Sequence, residues 1–302
     1  MKKIKIIIPI YNDWQSVFKL LENIDNEISN LNAEFSVIIV NDASTEAKSE
    51  HQLNFKNIRT VKVINMKENK GHARCIASGL KHILEKEEFD YVIPMDGDGE
   101  DRPEEIKEFV DNLNYNPDKP TVGKRVKRSE GIFFQFCYFF HKLITFTFTG
   151  QSIKFGNYTC LPKSTVEKMV QEKATWSSFS GSLAKVVQDR ATVSSERGTR
   201  YFGPSKMSFK NLIVHSLSII SVFKINVLIR SILFLLVYMF LIHQNITVIM
   251  FIPIILVVVL LVSVFVLSGR ENLEELNNSL SNILNIDEVR KSKKREKVEI
   301  IK

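Results

Sequence analysis

Residues 90–98 read Asp-Tyr-Val-Ile-Pro-Met-Asp-Gly-Asp, a short apolar run that breaks off into two carboxylates spaced i, i+2. The same pattern occurs twice before it. Residues 4–10 (IKIIIPI) give way to Tyr11-Asn12, and residues 35–40 (FSVIIV) to Asn41-Asp42. Short runs that are apolar at nearly every position predict strands covered on both faces, the first of them ended by Pro9. Residues 58–64 predict a fourth. Between these runs the period changes. From about Asp13, residues Val17, Leu20, Leu21, Ile24 and Ile28 share one helical face, and across 71–84 so do Ile76, Leu80, Ile83 and Leu84. Pro103 opens a further helix, with Glu104 and Glu105 favourably placed in its first turn. The fold class is therefore α/β, a mostly parallel sheet with helices on both faces. Such sheets bind ligands beyond the carboxyl ends of their strands. That singles out residues 9–12, 41–44, 65–71 and 96–101, which are rich in Asp and Asn.

These segments carry oxygen-donor chemistry. Asp96 and Asp98 at a strand end can converge on one hard divalent cation, Mg²⁺ or Mn²⁺, which also bridges to substrate phosphates. Gly97 and Gly99 permit close backbone approach. Asp42 can accept from a nucleobase N–H or a ribose hydroxyl; the alternative is an N-cap for residues 44–50. Residues 69–74 (NKGHAR) open a helix with Gly71 and three basic side chains, which suits a diphosphate. Neither a P-loop nor a dinucleotide fingerprint is present.

The chain has 302 residues, 44% hydrophobic and 25% charged, which excludes a disordered chain. Its 12 Gly and 8 Pro exclude collagen-like and Pro-rich types. The three cysteines, Cys75, Cys137 and Cys160, have no paired spacing, so a disulfide framework or thiolate zinc site is not expected and the thiols read as reduced. A net charge of +7 points to anionic partners. The opening apolar run is too short, and lacks a cleavage site, for a signal peptide.

The second half turns apolar. Residues 124–128 (KRVKR) are basic, and 131–150 hold eight aromatics with Gln135, His141 and Lys142 among them. That mixture fits a helix lying in the membrane interface better than a core helix, and a spanning helix least. Residues 209–224 predict an amphipathic juxtamembrane helix. Residues 225–267 predict two spans joined by His243-Gln244-Asn245, with Arg230 snorkelling at its end. The second span, 246–267, is about 33 Å long as a helix, enough for a hydrocarbon core of about 30 Å. Lys and Arg flank both ends of this hairpin and none lies in its loop. By the positive-inside rule the large domain, both termini and a basic tail at 268–302 are cytoplasmic at the cell inner membrane.

Together these motifs resemble the family 2 glycosyltransferases of the GT-A fold, and most closely the membrane-anchored polyprenyl-phosphate sugar transferases. The resemblance runs from residue 4 to about 210. It rests on Ile8-Pro9-Ile10-Tyr11-Asn12, on Val40-Asn41-Asp42-Ala43-Ser44-Thr45, on residues 69–79 (NKGHARCIASG) and on 95–103 (MDGDGEDRP). Residues 155–158 (FGNY) and 200–206 (RYFGPSK) look like later motifs of the same group. The resemblance implies that Pro9, Tyr11, Asn12, Asp42, Gly71 and Asp96 contact the nucleotide, that Asp96 and Asp98 serve sugar and metal with Asp98 the main ligand, and that Arg125, Arg200, Ser205 and Lys206 hold a phosphate. It also implies inversion at the anomeric carbon. Asp13, Asn41 and Gly99-Glu100-Asp101 depart from the usual Glu, Asp and Leu-Gln-His.

The expected partners are a nucleoside diphosphate sugar, an undecaprenyl-type lipid phosphate and the membrane. Nucleic acid is not expected, and a homo-oligomer is compatible with the pattern. No Glu-Asp pair stands between Tyr158 and Lys206 to act as a base. An already ionised phosphate acceptor needs none, although Glu100 or Asp101 could serve. The alternatives are transfer to a hydroxyl of a glycan or glycolipid, and a catalytically inactive membrane partner retaining the fold. A small-solute channel is disfavoured, because the spans carry no acid.

Overall fold

The computed structural model describes residues 1–48, 54–127, 132–204, 208–244 and 246–290. The chain begins with β1 (Lys2–Ile10), α1 (Trp14–Glu27), β2 (Ala33–Asn41), β3 (Ile58–Met66), α2 (His72–Lys86) and β4 (Tyr91–Pro94). It continues through α3 (Ile106–Asn112), β5 (Thr121–Lys127), α4 (Ile132–Thr149), β6 (Phe155–Pro162), α5 (Lys163–Val170), α6 (Phe179–Val186) and β7 (Ala191–Glu196). Three long helices follow, α7 (Phe209–Ser221), α8 (Lys224–Ile242) and α9 (Phe251–Ser268), and then α10 (Leu273–Asn277) and β8 (Ile283–Arg290).

One eight-stranded sheet runs in the order β7-β5-β6-β4-β1-β2-β3-β8. β4, β1, β2 and β3 pair in parallel, so their carboxyl ends share one edge. β6 and β8 run antiparallel to their neighbours. The continuous apolar runs have the cause expected of them. Ile4, Ile6, Ile8 and Ile10 of β1 pack with α1 and α3, while Ile7 packs on the other face with Ile76, Leu80 and Ile83 of α2. α2 lies so close that a Cβ on Gly79 would collide with Ile7 Cδ1 and sit 2.9 Å from Val40 Cγ2.

Several expectations change in detail. Pro9 does not end its strand; β1 reaches Ile10, with Pro9 paired beside Val40. Its missing N–H costs little, because Pro9 faces the β4 side and β4 has already ended at Pro94, beside Ile7. Pro103 opens a 3₁₀ turn (Pro103–Glu105) before α3. The second apolar helix starts at Phe251, with Pro253 in its first turn where backbone N–H groups have no intrahelical partner. Residues after 268 are more than a tail. α10 packs under α2 through Leu276, Ala77 and Trp176, and β8 closes the sheet edge beside β3.

α8 and α9 are long and apolar enough to cross a membrane, and their surfaces are largely exposed. Tyr238 Oη donates to Met250 O at 2.9 Å, which ties the two together. Arg230 does not sit at a helix end. It lies in the second turn of α8 and donates to Thr147 O at 3.1 Å, at the C-terminus of α4, where a cation suits the helix dipole. The remainder of α4 exposes Phe139, Phe140, Leu143, Ile144 and Phe146.

A buried charge cluster spans the sheet. Glu87, just after α2, accepts from Lys5 of β1 at 2.9 Å and from Lys62 of β3 at 2.6 Å. Burial pulls its carboxyl up, but the two lysines outweigh burial and hold it below the usual glutamate value of 4.5. A depressed folded value stabilises above the unfolded one, and this contribution fades as pH falls through the folded value. Glu87→Gln should therefore cost about 1–3 kcal/mol at neutral pH, and the deficit should shrink in acid, read by denaturant titration at pH 7 and pH 4. Gly79→Ala should cost about 1–3 kcal/mol at both pH values through overpacking, read in the same titrations.

Candidate active site

The parallel strands deliver four loops to one edge. After β1, Asn12 sits in the left-handed region (φ 51°), and after β2 so does Ala43 (φ 55°). Asn12 is a loop fastener. Its N–H donates to Ser44 Oγ at 2.9 Å, and its Oδ1 accepts from the N–H groups of Thr45 and Glu46 at 2.8 and 3.1 Å. Tyr11 beside it is exposed at 43%, with its face available at the mouth of the edge.

Asp42 is buried, and among the described residues it caps nothing in its own loop. Its two carboxylate oxygens accept from Lys70 N–H at 2.9 Å and Gly71 N–H at 2.8 Å. Burial raises its carboxyl, and these two N–H groups oppose the rise. Gly71, at φ 93°, turns the chain into α2. Asp42 and Gly71, both expected at the nucleotide, thus hold each other. Part of the segment that Asp42 might have capped, residues 49 and 50, lies outside the described residues.

After β4 stands a crowded acidic cluster. Asp101 accepts from Asp96 N–H at 2.9 Å, and Asp98 accepts from Glu100 N–H at 2.9 Å. Burial and then Asp96 push Asp98 up to about 6. The same two causes push Asp101 well up. Asp96 stays low despite burial, because His72 Nε2 lies 3.2 Å from its Oδ1 and Arg125 is near. His72 itself is raised: partial desolvation of its half-exposed ring lowers it, and the three aspartates prevail. Arg200 bridges Asp98 at 2.6 Å and Asp13 at 2.5 Å, tying the DxD loop to the loop after β1. Arg125 lies over Gly156, its guanidinium 3.2 Å from where a Cβ would stand.

The 197–201 loop folds back on this cluster. Gly198 N–H donates to Glu100 O at 2.8 Å and Tyr201 N–H to Asp98 O at 2.9 Å. The Tyr201 ring lies on Gly99, whose φ of 89° and missing Cβ are both required there. Arg197 forms an ion pair with Glu100.

The arrangement brings Asp96, Asp98, Glu100, Arg125 and Arg200 together, with Asp13 added. Ser205 and Lys206 lie outside the described residues. Sequence reasoning missed Asn157 and Arg197 as members of the cluster; it raised Asp101 only as a possible base and His72 only as a cation for a diphosphate. Asn157 places its amide 2.8 Å from His72 Nε2. Asn157 stands inside a quoted motif, residues 155–158, which is the one signal that could have found it. The carboxylates of Asp96 and Asp98 offer the hard oxygen that a divalent cation takes. Among the described residues no three His, Cys, Asp or Glu side chains form a complete metal site, so such a cation would also need oxygen from a ligand.

Comparisons with known proteins agree with this architecture. Residues 5–165 match the family model Glycosyl transferase family 2. The undecaprenyl-phosphate 4-deoxy-4-formamido-L-arabinose transferase of Salmonella choleraesuis (strain SC-B67) is 26% identical over 223 residues, covering 70% of this chain and 65% of the relative. The match thus spans just under two thirds of that relative's length. Glucosyl-3-phosphoglycerate synthase from Mycobacterium tuberculosis, solved with Mn²⁺, UDP-glucose and phosphoglyceric acid, superposes with a TM-score of 0.52. It is 13% identical, over 76% of this chain and 79% of that one. Mannosyl-3-phosphoglycerate synthase from Rubrobacter xylanophilus gives 0.52 at 12% identity, over 73% and 72%. These likenesses place the sheet and its helices among the GT-A folds. With the family model matched across more than half of its length, the chain belongs to glycosyl transferase family 2.

Proposed function

We propose that this protein is a membrane-anchored, inverting glycosyltransferase that moves a sugar from a nucleoside diphosphate sugar to a polyprenyl phosphate, of the undecaprenyl type, at the cytoplasmic face of the inner membrane. The observation that carries the reading is the joining of two features in one chain. An acidic, cation-seeking cluster stands at the carboxyl edge of a parallel sheet, and the same domain carries two exposed apolar helices. The activity named for the Salmonella relative points the same way.

The roles follow from position. Tyr11 and the loops held by Asn12 and Asp42 would receive the nucleoside. Asp96 and Asp98 would hold Mg²⁺ or Mn²⁺, which when bound neutralises the leaving diphosphate. Arg200 balances Asp98 and Asp13 and stands ready to pair with a phosphate instead, since guanidinium binds carboxylate and phosphate alike. Arg125 supplies positive charge on the opposite flank. Glu100 is engaged by Arg197, so its carboxylate already has a partner in place of an acceptor hydroxyl. Its engagement favours an acceptor that arrives ionised, which a lipid phosphate does. α4 would lie in the interface on its exposed aromatics, and α8 and α9 would cross and return.

Return to the same side is supported by β8. The chain enters the hairpin after β7 and comes back to pair with β3 in the same sheet. A cysteine placed in the hairpin loop, Thr247→Cys, should react with an impermeant thiol reagent in intact cells, whereas Ser281→Cys should react only after the membrane is opened. The reverse pattern overturns the topology.

Asp98→Asn should retain fold and insertion, yet lower transfer by about 10²–10³-fold, because the lost charge acts on the developing diphosphate. The assay offers labelled nucleotide sugars to the purified full chain with and without polyprenyl phosphate, followed by lipid extraction. Label reaching the lipid fraction only when polyprenyl phosphate is present supports the acceptor. Label reaching a glycan hydroxyl instead moves the reading to the hydroxyl alternative, and wild-type rates in Asp98→Asn remove the DxD assignment.

A further inference from the structure

The strand that returns from the membrane hairpin reaches the donor loops through an unbroken line of polar contacts. Asn65, at the carboxyl end of β3, pairs in register with Asn285 of β8. Its Nδ2 donates to Asn285 Oδ1 at 2.6 Å and to Asp287 Oδ2 at 2.9 Å. Its Oδ1 accepts from Asn41 Nδ2 at 2.9 Å. Asn41 Oδ1 in turn accepts from Ser44 N–H at 3.0 Å, and Ser44 Oγ accepts from Asn12 N–H at 2.9 Å. The line therefore runs from β8 across β3 and β2 to the loop after β1.

A second connection runs alongside. Lys67 N–H donates to Asn282 O at 2.7 Å, Lys67 Nζ to Ser281 O at 2.8 Å, and Asn282 Nδ2 to Glu68 O at 3.1 Å. This segment leads straight to Lys70 and Gly71, whose N–H groups hold Asp42. Both connections end on the pair of loops proposed to receive the nucleoside.

Asparagine suits this relay. Each side chain offers one acceptor and one donor group, so it can pass orientation from one neighbour to the next. The loops it reaches hold two residues, Asn12 and Ala43, with positive φ. Such backbone persists only where the surroundings hold it. We infer that Asn65, with Asn285 and Asp287 of β8, positions the donor loops, so that the segment returning from the membrane sets affinity for the nucleoside diphosphate without touching it. The inference rests on the donor reading above.

The test uses the full chain in detergent, titrated with UDP, GDP, CDP and dTDP, and then assayed with the sugar of whichever nucleotide binds. Asn285→Ala combined with Asp287→Ala should raise Kd and KM roughly tenfold with kcat little changed, since lost loop order weakens ground-state and transition-state binding alike. Amide exchange should quicken at Ser44, Thr45, Glu46, Lys70 and Gly71. Asp287→Asn, which keeps an acceptor facing Asn65, should stay near wild type. A purely structural strand would instead lower Tm while leaving KM and exchange at 44–46 unchanged, and that result overturns the inference. Wild-type chain that binds none of the four nucleotides overturns the donor reading and this inference together. Wild-type binding with unaltered variants overturns the inference alone.

Discussion

Three carboxylates crowded at the end of β4 cannot all be charged unless cations stand around them, and this electrostatic demand governs much of the architecture. The compensating groups come from far apart in the chain. His72 opens α2, Arg125 lies on β5 and Arg200 follows β7. None could reach the cluster without the sheet that aligns β4 with β1 on one side and β6 on the other. The charges also differ in kind. His72 keeps Asp96 ionised, Arg200 offsets Asp98, and Asp101 is left to rise. A site balanced this closely suits the proposed donor, a nucleoside diphosphate sugar with a divalent cation, because either part can replace a contact already present.

The central sheet was legible because burial on both faces leaves a continuous apolar run, and such runs end abruptly where the chain leaves the core. Residues 4–10, 35–40 and 58–64 all show it. The outer strands were less legible for the same physical reason. β5 (TVGKRVK), between β7 and β6, is buried over 121–123 but exposes Lys124 and Val126, and the edge strand β8 (ILNIDEVR) is exposed over 284–288, so their sequences mix apolar, polar and charged residues. Residues 124–128 accordingly read as a basic cluster, although 121–127 are a strand. The candidate site divides similarly. Carboxylates at strand ends can be found from local pattern. The partners of Asp98 and Glu100 lie about a hundred residues away, and no local period announces Arg197 or Arg200 as their counter-charges.

Asp42 shows how a correct residue can carry an unexpected contact. Its position after β2 was visible, and an N-cap within its own loop was a reasonable alternative. The fold satisfies it from 28 residues further on, because Gly71 turns two successive N–H groups toward the strand end before α2 begins. The carboxylate thereby couples two loops instead of finishing one.

The apolar helices and the sheet are not independent modules joined by a linker. α8 grips the C-terminus of α4 through Arg230 and through Asn226, whose Nδ2 donates to Thr149 O at 3.2 Å. At the exit from α9, Glu271 is nearly buried and faces Lys173 of the catalytic domain at 3.7 Å; burial raises its carboxyl, and nearby lysines oppose the rise. Four residues further on, Glu275 accepts from Trp176 Nε1 at 2.7 Å, and the Arg74 guanidinium lies over that same indole, 5.5 Å from its centroid. Arg74 belongs to the first turn of α2, the helix that presents His72 to Asp96. A displacement of the hairpin relative to the sheet would therefore strain contacts only two residues from the acidic cluster. The apolar hairpin and the acidic cluster are thus joined by direct contacts, which suits the proposed transfer from a water-soluble donor to a lipid phosphate.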